Sequence, residues 1–130
     1  MKIFFQEDNE IVNRIENKKI KICVIGVGTI GLPLATMLAD RGFSVTGLDI
    51  NSERVELINL GKVIYEYQDI LERVAGKNLV ATVDPEIALR DAEIVFVCVP
   101  TPLNENNEMD VKNLVNVVDR IHPFIEKGMM

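Results

Sequence analysis

Residues 21–35 read KICVIGVGTIGLPLA, and this stretch decides the fold. Its first part is a short run of apolar, largely β-branched residues, which is typical of a buried strand. The run breaks into the spacing G-x-G-x-x-G, and the pattern then becomes helical. A strand, a glycine-rich turn and a helix in this order predict a dinucleotide-binding unit.

The three glycines of this turn have different expected roles. Gly26 permits the tight turn out of the strand. Gly28 lets the main chain approach a pyrophosphate, and Gly31 lets the helix pack closely on the strand. Free N–H groups at the positive end of the helix dipole would face the phosphates. The predicted phosphate-binding residues are Gly26, Val27, Gly28, Thr29, Ile30 and Gly31.

A second strand is predicted at residues 43–49, and it ends in Asp49, about 20 residues beyond the glycine motif. A carboxylate there can accept from both hydroxyls of the adenosine ribose and would repel a 2′-phosphate, which favours NAD over NADP. The alternative is a solvated acid at a strand end. Arg54 lies one turn into the next helix. It either reaches the adenosine half of the dinucleotide or is a solvated helix arginine, and spacing alone leaves both open.

Composition restricts the class of protein. The chain has 130 residues, the length of one domain, and a formal net charge of −6. This charge argues against nucleic acid or an anionic membrane as the main partner. No apolar stretch approaches a membrane span, and residues 1–8 are too short and too acidic for a signal peptide, so we expect a cytoplasmic protein.

Strand and helix patterns alternate along the chain. A short amphipathic helix at residues 6–18 would form an N-terminal appendage (residues 1–19) to a nucleotide-binding domain of residues 20–130. The alternation predicts an α/β fold with a doubly wound parallel sheet of the Rossmann type, truncated after about four strands. We expect strand order 3-2-1-4, with the cofactor crevice between the first and fourth strands. Met129-Met130 would begin a fifth strand.

The fourth strand, at residues 93–99, is continuously apolar, as expected of a central strand covered on both faces. It runs into Val99-Pro100-Thr101-Pro102, at the edge where open α/β sheets bind ligands. Thr101 would offer its hydroxyl and N–H to the cofactor, or else make a local hydrogen bond in a proline turn. Cys23 and Cys98 are predicted to be reduced and buried in strands, and His122 to be structural.

Taken together, these motifs resemble the NAD-binding domain of the UDP-glucose/GDP-mannose dehydrogenase family. The resemblance covers nearly the whole chain after Lys19, and the continuation Leu103-Asn104 and the N-terminal helix look most like the branch that oxidises UDP-N-acetylhexosamines. The matching segments are 26–35, 47–51, 59–61, Tyr65-Glu66 and 99–102.

The resemblance implies NAD as cofactor and implies which residues contact it. It also shows two departures: Thr29 stands where the family usually has an aromatic residue, and Tyr67-Gln68 stand where it has Pro-Gly. The first affects cofactor packing and the second the substrate side of the loop. The implied cofactor contacts are the loop Gly26 to Gly31, Asp49, Arg54, Val99, Pro100, Thr101, Pro102 and Leu103.

Members of the family oxidise a primary alcohol of a nucleotide sugar to a carboxylate in two hydride transfers to NAD, which implies that this chain belongs to a UDP-sugar dehydrogenase of polysaccharide biosynthesis. The family's catalytic cysteine and its helpers lie C-terminal to residue 130, and neither Cys23 nor Cys98 matches that nucleophile. We therefore expect the chain alone to be inactive, and to self-associate through the apolar edge of the fourth strand or through Met129-Met130. Two alternatives are an NAD-sensing regulatory module and half of another NAD-dependent dehydrogenase.

Overall fold

The computed structural model describes residues 6–63 and 66–130. Within these residues four parallel strands form one sheet in the order β3-β2-β1-β4, which confirms the predicted topology. The pairing brings the carboxyl ends of the strands to one edge of the sheet. The strands are β1 (Lys21–Ile25), β2 (Ser44–Leu48), β3 (Leu79–Thr82) and β4 (Ile94–Val97).

In the described part of the chain, six helices accompany the strands, and the first, Asp8–Glu16, lies within the helix predicted at residues 6–18. The side chain of Asn51 accepts from the Arg54 N–H and so caps its helix, and Gly42 follows its helix with a φ of +95°. The Asp110 side chain accepts from the N–H of Lys112, the residue at which the last helix begins. The helices are α1 (Asp8–Glu16), α2 (Gly31–Asp40), α3 (Ser52–Asn59), α4 (Gln68–Val74), α5 (Pro85–Leu89) and α6 (Lys112–Ile121), followed by a 3₁₀ turn (His122–Phe124).

Helices cover both faces of the sheet. On one face, Val24 belongs to a buried cluster with residues of α2, α3 and α4, including Leu32 and Ile58. On the other face, Cys23 belongs to a second cluster with residues of α5 and α6, including Ile121. Successive residues of β1 thus enter opposite layers, as the alternation of side chains along a strand requires. No helix among the described residues is long and apolar enough to cross a membrane.

The prediction that the fourth strand is covered on both faces is wrong. Phe96 and Val97 are 38% and 42% exposed, because β4 is the edge strand next to β1. Cys98 lies one residue beyond β4 and is half-buried rather than enclosed. Met130 does pair with β4: its N–H donates to the Glu93 carbonyl (2.8 Å) and its carbonyl accepts from the Val95 N–H (2.7 Å). Met130 thus pairs with β4 through its main chain, but no strand is assigned there among the described residues, so the fifth strand at Met129-Met130 stays a prediction.

The N-terminal helix is attached to the sheet by an ion pair. Arg14 Nη1 donates to a carboxylate oxygen of Glu93 at 2.7 Å, and the Glu93 side chain is only 7% exposed. This hydrogen bond raises the pKa of Arg14 above its usual value. Arg14 also donates to the Lys19 carbonyl, and Ile11 packs against the core. The described part of the N-terminal segment is therefore fixed at the start of β4.

Candidate functional site

Two glycines of the motif bring main chains into close contact. Gly26 has a φ of +85°, and a Cβ there would lie 2.6 Å from the Cys98 carbonyl oxygen. A Cβ on Gly31 would lie 1.7 Å from the Gly26 carbonyl oxygen. Only glycine fits either position, since real Cβ atoms do not approach main-chain oxygen so closely. The positive φ of Gly26 agrees with the tight turn predicted there, and the contact of Gly31 agrees with the close packing predicted for it.

Gly28 differs because a Cβ there would meet the end of a flexible side chain rather than main chain. The nearest atom that a Cβ there would meet is Arg54 Nη1 at 3.2 Å. The Gly28 carbonyl accepts from the Leu32 N–H (3.0 Å), so the helical turn begins at this residue. No side chain in the described part of the chain caps the start of α2. At a helix start, the N–H groups that precede the first intrahelical donor point out of the helix, and the positive end of the helix dipole favours an anion there.

Asp49 lies directly beside this turn. Its Oδ2 accepts from the Val27 N–H (3.1 Å) and its Oδ1 from the Asn51 N–H (3.0 Å). Its side chain is 11% exposed, and Arg54 Nη1 lies 3.8 Å from Oδ2. The two main-chain bonds fix the carboxylate, and each of its oxygens retains a lone pair for a further donor. The Arg54 guanidinium lies close to both Asp49 and Gly28, which favours the first of the two interpretations left open for it.

A cleft of about 690 Å³ opens at this edge of the sheet, a volume typical of ligand sites. The glycine loop and the ends of β2 and β4 form its floor, and α6 forms one wall. The residues lining it are Ile25, Gly26, Gly28, Thr29, Ile30, Leu48, Asp49, Ile50, Asn51, Arg54, Val97, Cys98, Val99, Pro100, Asn113, Asn116, Val117, Arg120 and Ile121.

The structure brings most of the predicted site residues into this cleft, but not all. Val27 and Gly31 are buried behind its floor, and Val27 contributes its N–H to Asp49. Thr101, Pro102 and Leu103 are exposed and lie beyond the lining. Tyr65, which contributed to the resemblance, falls outside the described residues. The predicted residues that line the cleft are Gly26, Gly28, Thr29, Ile30, Asp49, Arg54, Val99 and Pro100.

The wall formed by α6 was not predicted. Asn113, Asn116, Val117 and Arg120 share one face of this helix, as their spacing of three to four residues indicates. Asn113 donates to the Pro100 carbonyl (3.1 Å), which fixes the helix to the end of β4. The signal was available in the sequence: polar residues recur at helical spacing in the helix that follows β4, next to the predicted crevice.

The charges of the cleft favour an anionic ligand. Two arginines, Arg54 and Arg120, line it together with one aspartate, Asp49, in a chain whose net charge is −6. Burial raises the pKa of Cys98, and that of Cys23 to about 12, so both thiols stay protonated at neutral pH. Among the described residues, no group of histidine, cysteine and acidic side chains is arranged to hold a metal ion.

Known proteins resemble this chain in both sequence and structure. It is 37% identical over 125 residues to the UDP-N-acetyl-D-mannosamine dehydrogenase of Methanococcus aeolicus, a match that covers 90% of this chain and 28% of that protein. The solved structure of UDP-D-ManNAc dehydrogenase from Pyrococcus horikoshii superposes with a TM-score of 0.77 at 31% identity, covering 85% of this chain and 27% of the other.

GDP-mannose dehydrogenase from Pseudomonas aeruginosa, solved as a ternary complex, superposes with a TM-score of 0.72 at 32% identity and covers 77% of this chain and 24% of the other. The chain thus spans about a quarter of the length of the proteins it matches. The sequence profile of one family matches residues 20–130. Together with the glycine turn and the acid after β2, this match establishes that the chain belongs to the NAD-binding domain of the UDP-glucose/GDP-mannose dehydrogenase family.

Proposed function

We propose that this chain binds NAD in the cleft and is the cofactor-binding part of an NAD-dependent UDP-sugar dehydrogenase. One observation carries the proposal: the open main chain at Gly28 lies beside the fixed carboxylate of Asp49, at the carboxyl edge of a parallel sheet. This is the arrangement that a dinucleotide needs, with phosphates at a helix start and a ribose at the neighbouring strand.

The geometry suggests where each part of NAD lies. The pyrophosphate would rest against the first turn of α2, where Gly28 leaves room for it. The adenosine ribose would donate its hydroxyls to Asp49, with Arg54 close to both groups. The nicotinamide would lie on the β4 side, along Val99 and Pro100, and Thr101, Pro102 and Leu103 would approach it from the exposed segment that follows.

The proposed substrate is a UDP-N-acetylhexosamine, since the relatives named above include UDP-N-acetyl-D-mannosamine dehydrogenases. NAD supplies the hydride acceptor when bound, and the residues of this chain bind and orient it. The side chains that hold the substrate and the reacting thiol would come from a longer protein of which this domain is part. We propose that such a protein acts in the cytoplasm in polysaccharide biosynthesis, and that this chain alone has no dehydrogenase activity.

Titration calorimetry with NAD and NADP tests the site. Asp49→Asn keeps a carbonyl oxygen as acceptor but removes the charge, so it should weaken NAD binding by about 1–3 kcal/mol. The ratio of NAD affinity to NADP affinity should also become smaller, because the charge that repels the 2′-phosphate is gone. Glu16→Gln is the matched control and should bind as the wild type does, because Glu16 is an exposed acid of α1, which is attached at the start of β4 and thus at the opposite end of the sheet. Equal NAD affinity for Asp49→Asn and the wild type would remove Asp49 from the site.

Gly28→Val provides the second arm of this test. Its side chain would enter the space reserved for the pyrophosphate, so NAD binding should be lost while circular dichroism shows an intact fold. Wild-type protein that binds no NAD at millimolar concentration would overturn the proposal itself.

Assays on the protein encoded by the full reading frame distinguish an enzyme from an NAD-sensing module. With UDP-N-acetylmannosamine and NAD, a dehydrogenase should form two NADH per sugar, as measured by absorbance. A sensing module would bind NAD and form none.

We also propose that the isolated chain self-associates along the β4 edge, where Phe96 and Val97 are partly exposed. Light scattering should show dimers or larger species that dissociate in Phe96→Lys, a position that is exposed and outside the cleft lining. A strict monomer at high concentration would refute this.

A further inference from the structure

We propose that Arg120 recognises the adenine base, stacking its guanidinium on one face of the ring while Ile50 covers the other. This inference rests on the proposed function, because it assumes that the cleft holds NAD. It assigns recognition of the base to a residue that belongs neither to the glycine motif nor to the site of Asp49.

The position of Arg120 along the sheet edge is the first argument. The strand order β3-β2-β1-β4 places the loop after β3, Asp49 after β2 and the glycine turn after β1 in sequence along that edge. Arg120 Nη2 donates to the Val83 carbonyl, in the loop after β3, at 3.2 Å. Seen from the glycine turn, the guanidinium is therefore anchored beyond Asp49.

A dinucleotide bound as proposed puts its base in this place. The pyrophosphate lies at the glycine turn and the adenosine ribose at Asp49, so the base attached to that ribose continues in the same direction. Ile50, the residue after Asp49, is 75% exposed and lines the same cleft as Arg120. An apolar side chain and a flat cation thus line the cleft beside the predicted base position.

The chemistry of Arg120 suits a base better than a bare anion. A guanidinium is planar and stacks on aromatic rings through both dispersion and cation–π attraction. The bond to a neutral carbonyl fixes the group without neutralising its charge. Nearby, Val117 and Ile121 pack in the cluster that contains Leu48, which holds this part of α6 against the end of β2.

The test compares two ligands on the full chain, ADP and inorganic pyrophosphate, by calorimetry and by displacement of bound NADH. Arg120→Ala should weaken the binding of ADP and of NAD about tenfold, which is the effect expected from the loss of a stacked cation. It should leave pyrophosphate affinity unchanged. Arg120→Lys keeps the charge and a donor for the Val83 carbonyl but has no planar group to stack on the base. The affinity for ADP should therefore stay below that of the wild type. Arg90→Ala, an exposed arginine after α5, is the control and should bind as the wild type does.

Several outcomes would overturn the inference. Equal losses for ADP and pyrophosphate would make Arg120 a phosphate contact, and full recovery in Arg120→Lys would show that charge or anchoring suffices. Wild-type affinity in Arg120→Ala would remove the residue from the site. If Arg120→Ala unfolds by circular dichroism, Arg120→Lys alone decides. In each case NAD binding by the wild type separates this failure from failure of the proposed function.

Discussion

The helices α2 and α6 each have ten residues and flank the same sheet, but they are packed very differently. In α2, five residues are buried, among them Leu32 and Ala35. In α6 the buried residue is Ile121, while Val115 and Val118 are 51% and 47% exposed. The comparison teaches that stability is concentrated on the α2 side, because burial of apolar surface is the main favourable term in folding.

On the β4–α6 side, ion pairs and hydrogen bonds contribute more to holding the elements in place than they do on the α2 side. Arg14 pairs with Glu93 at the start of β4, and Met130 pairs with the same strand. Asn113 and Arg120 fix α6 through carbonyl groups at Pro100 and Val83. The proposed NAD cleft lies between the two sides, so one wall is a packed core and the other is held by a few directional contacts.

The largest expected effect comes from the contact that joins α2 to β1. Gly31→Ala places a methyl group where the Gly26 carbonyl oxygen lies, and main chain cannot yield as a side chain can. We expect a loss of about 3 kcal/mol or more in the free energy of unfolding, measured by urea denaturation. Gly28→Ala is the matched control, since its methyl group meets only the end of Arg54, and it should cost less than about 1 kcal/mol. Similar losses in the two variants would contradict the packing role of Gly31.

The second prediction measures the comparison directly. Ile58→Ala, in the fully buried cluster on the α2 side, should lower the free energy of unfolding by about 3 kcal/mol. Val118→Ala, on the exposed face of α6, should change it by no more than about 0.5 kcal/mol. A loss above 1 kcal/mol for Val118→Ala would mean that this face is covered in solution, and self-association would then be the first cause to examine.

The ion pair at the start of β4 provides a third, smaller effect. Arg14→Gln leaves the carboxylate of Glu93 buried with a weaker donor, and we expect a loss of about 2 kcal/mol in the free energy of unfolding. Arg73→Gln removes ion pairs with Asp40 and Asp69 that are exposed, so it should cost less than about 0.5 kcal/mol. If both variants are equally stable, the Arg14–Glu93 pair does not fix the N-terminal helix.

The smallest effect concerns the two thiols. Burial raises both pKa values, so alkylation of the folded protein should be slow at pH 7 and should still be accelerating above pH 9, where a free thiol levels off. Cys98 lines the cleft and should react first, whereas Cys23 should react only on unfolding. Bound NAD should slow the alkylation of Cys98, because Cys98 lines the cleft that NAD would occupy. Mass spectrometry after iodoacetamide treatment measures each site, and faster modification of Cys23 would contradict its burial.

Sequence patterns determined much of this protein because local backbone sterics and periodicity govern them. The strand–turn–helix at residues 21–35 and the strand order followed from short segments and general connection rules. The acid at residue 49 was expected at the cleft because it ends a predicted strand at the expected distance from the glycine motif.

Tertiary structure alone decided the contacts that join distant segments. Arg14 and Glu93 are 79 positions apart, and Arg120 and Val83 are 37 apart, so no local pattern indicates either pair. The same holds for the exposure of Phe96 and Val97: an apolar run reads the same in a central strand as at an edge. Position in the sheet decides which it is, because burial depends on the neighbours that the complete fold provides.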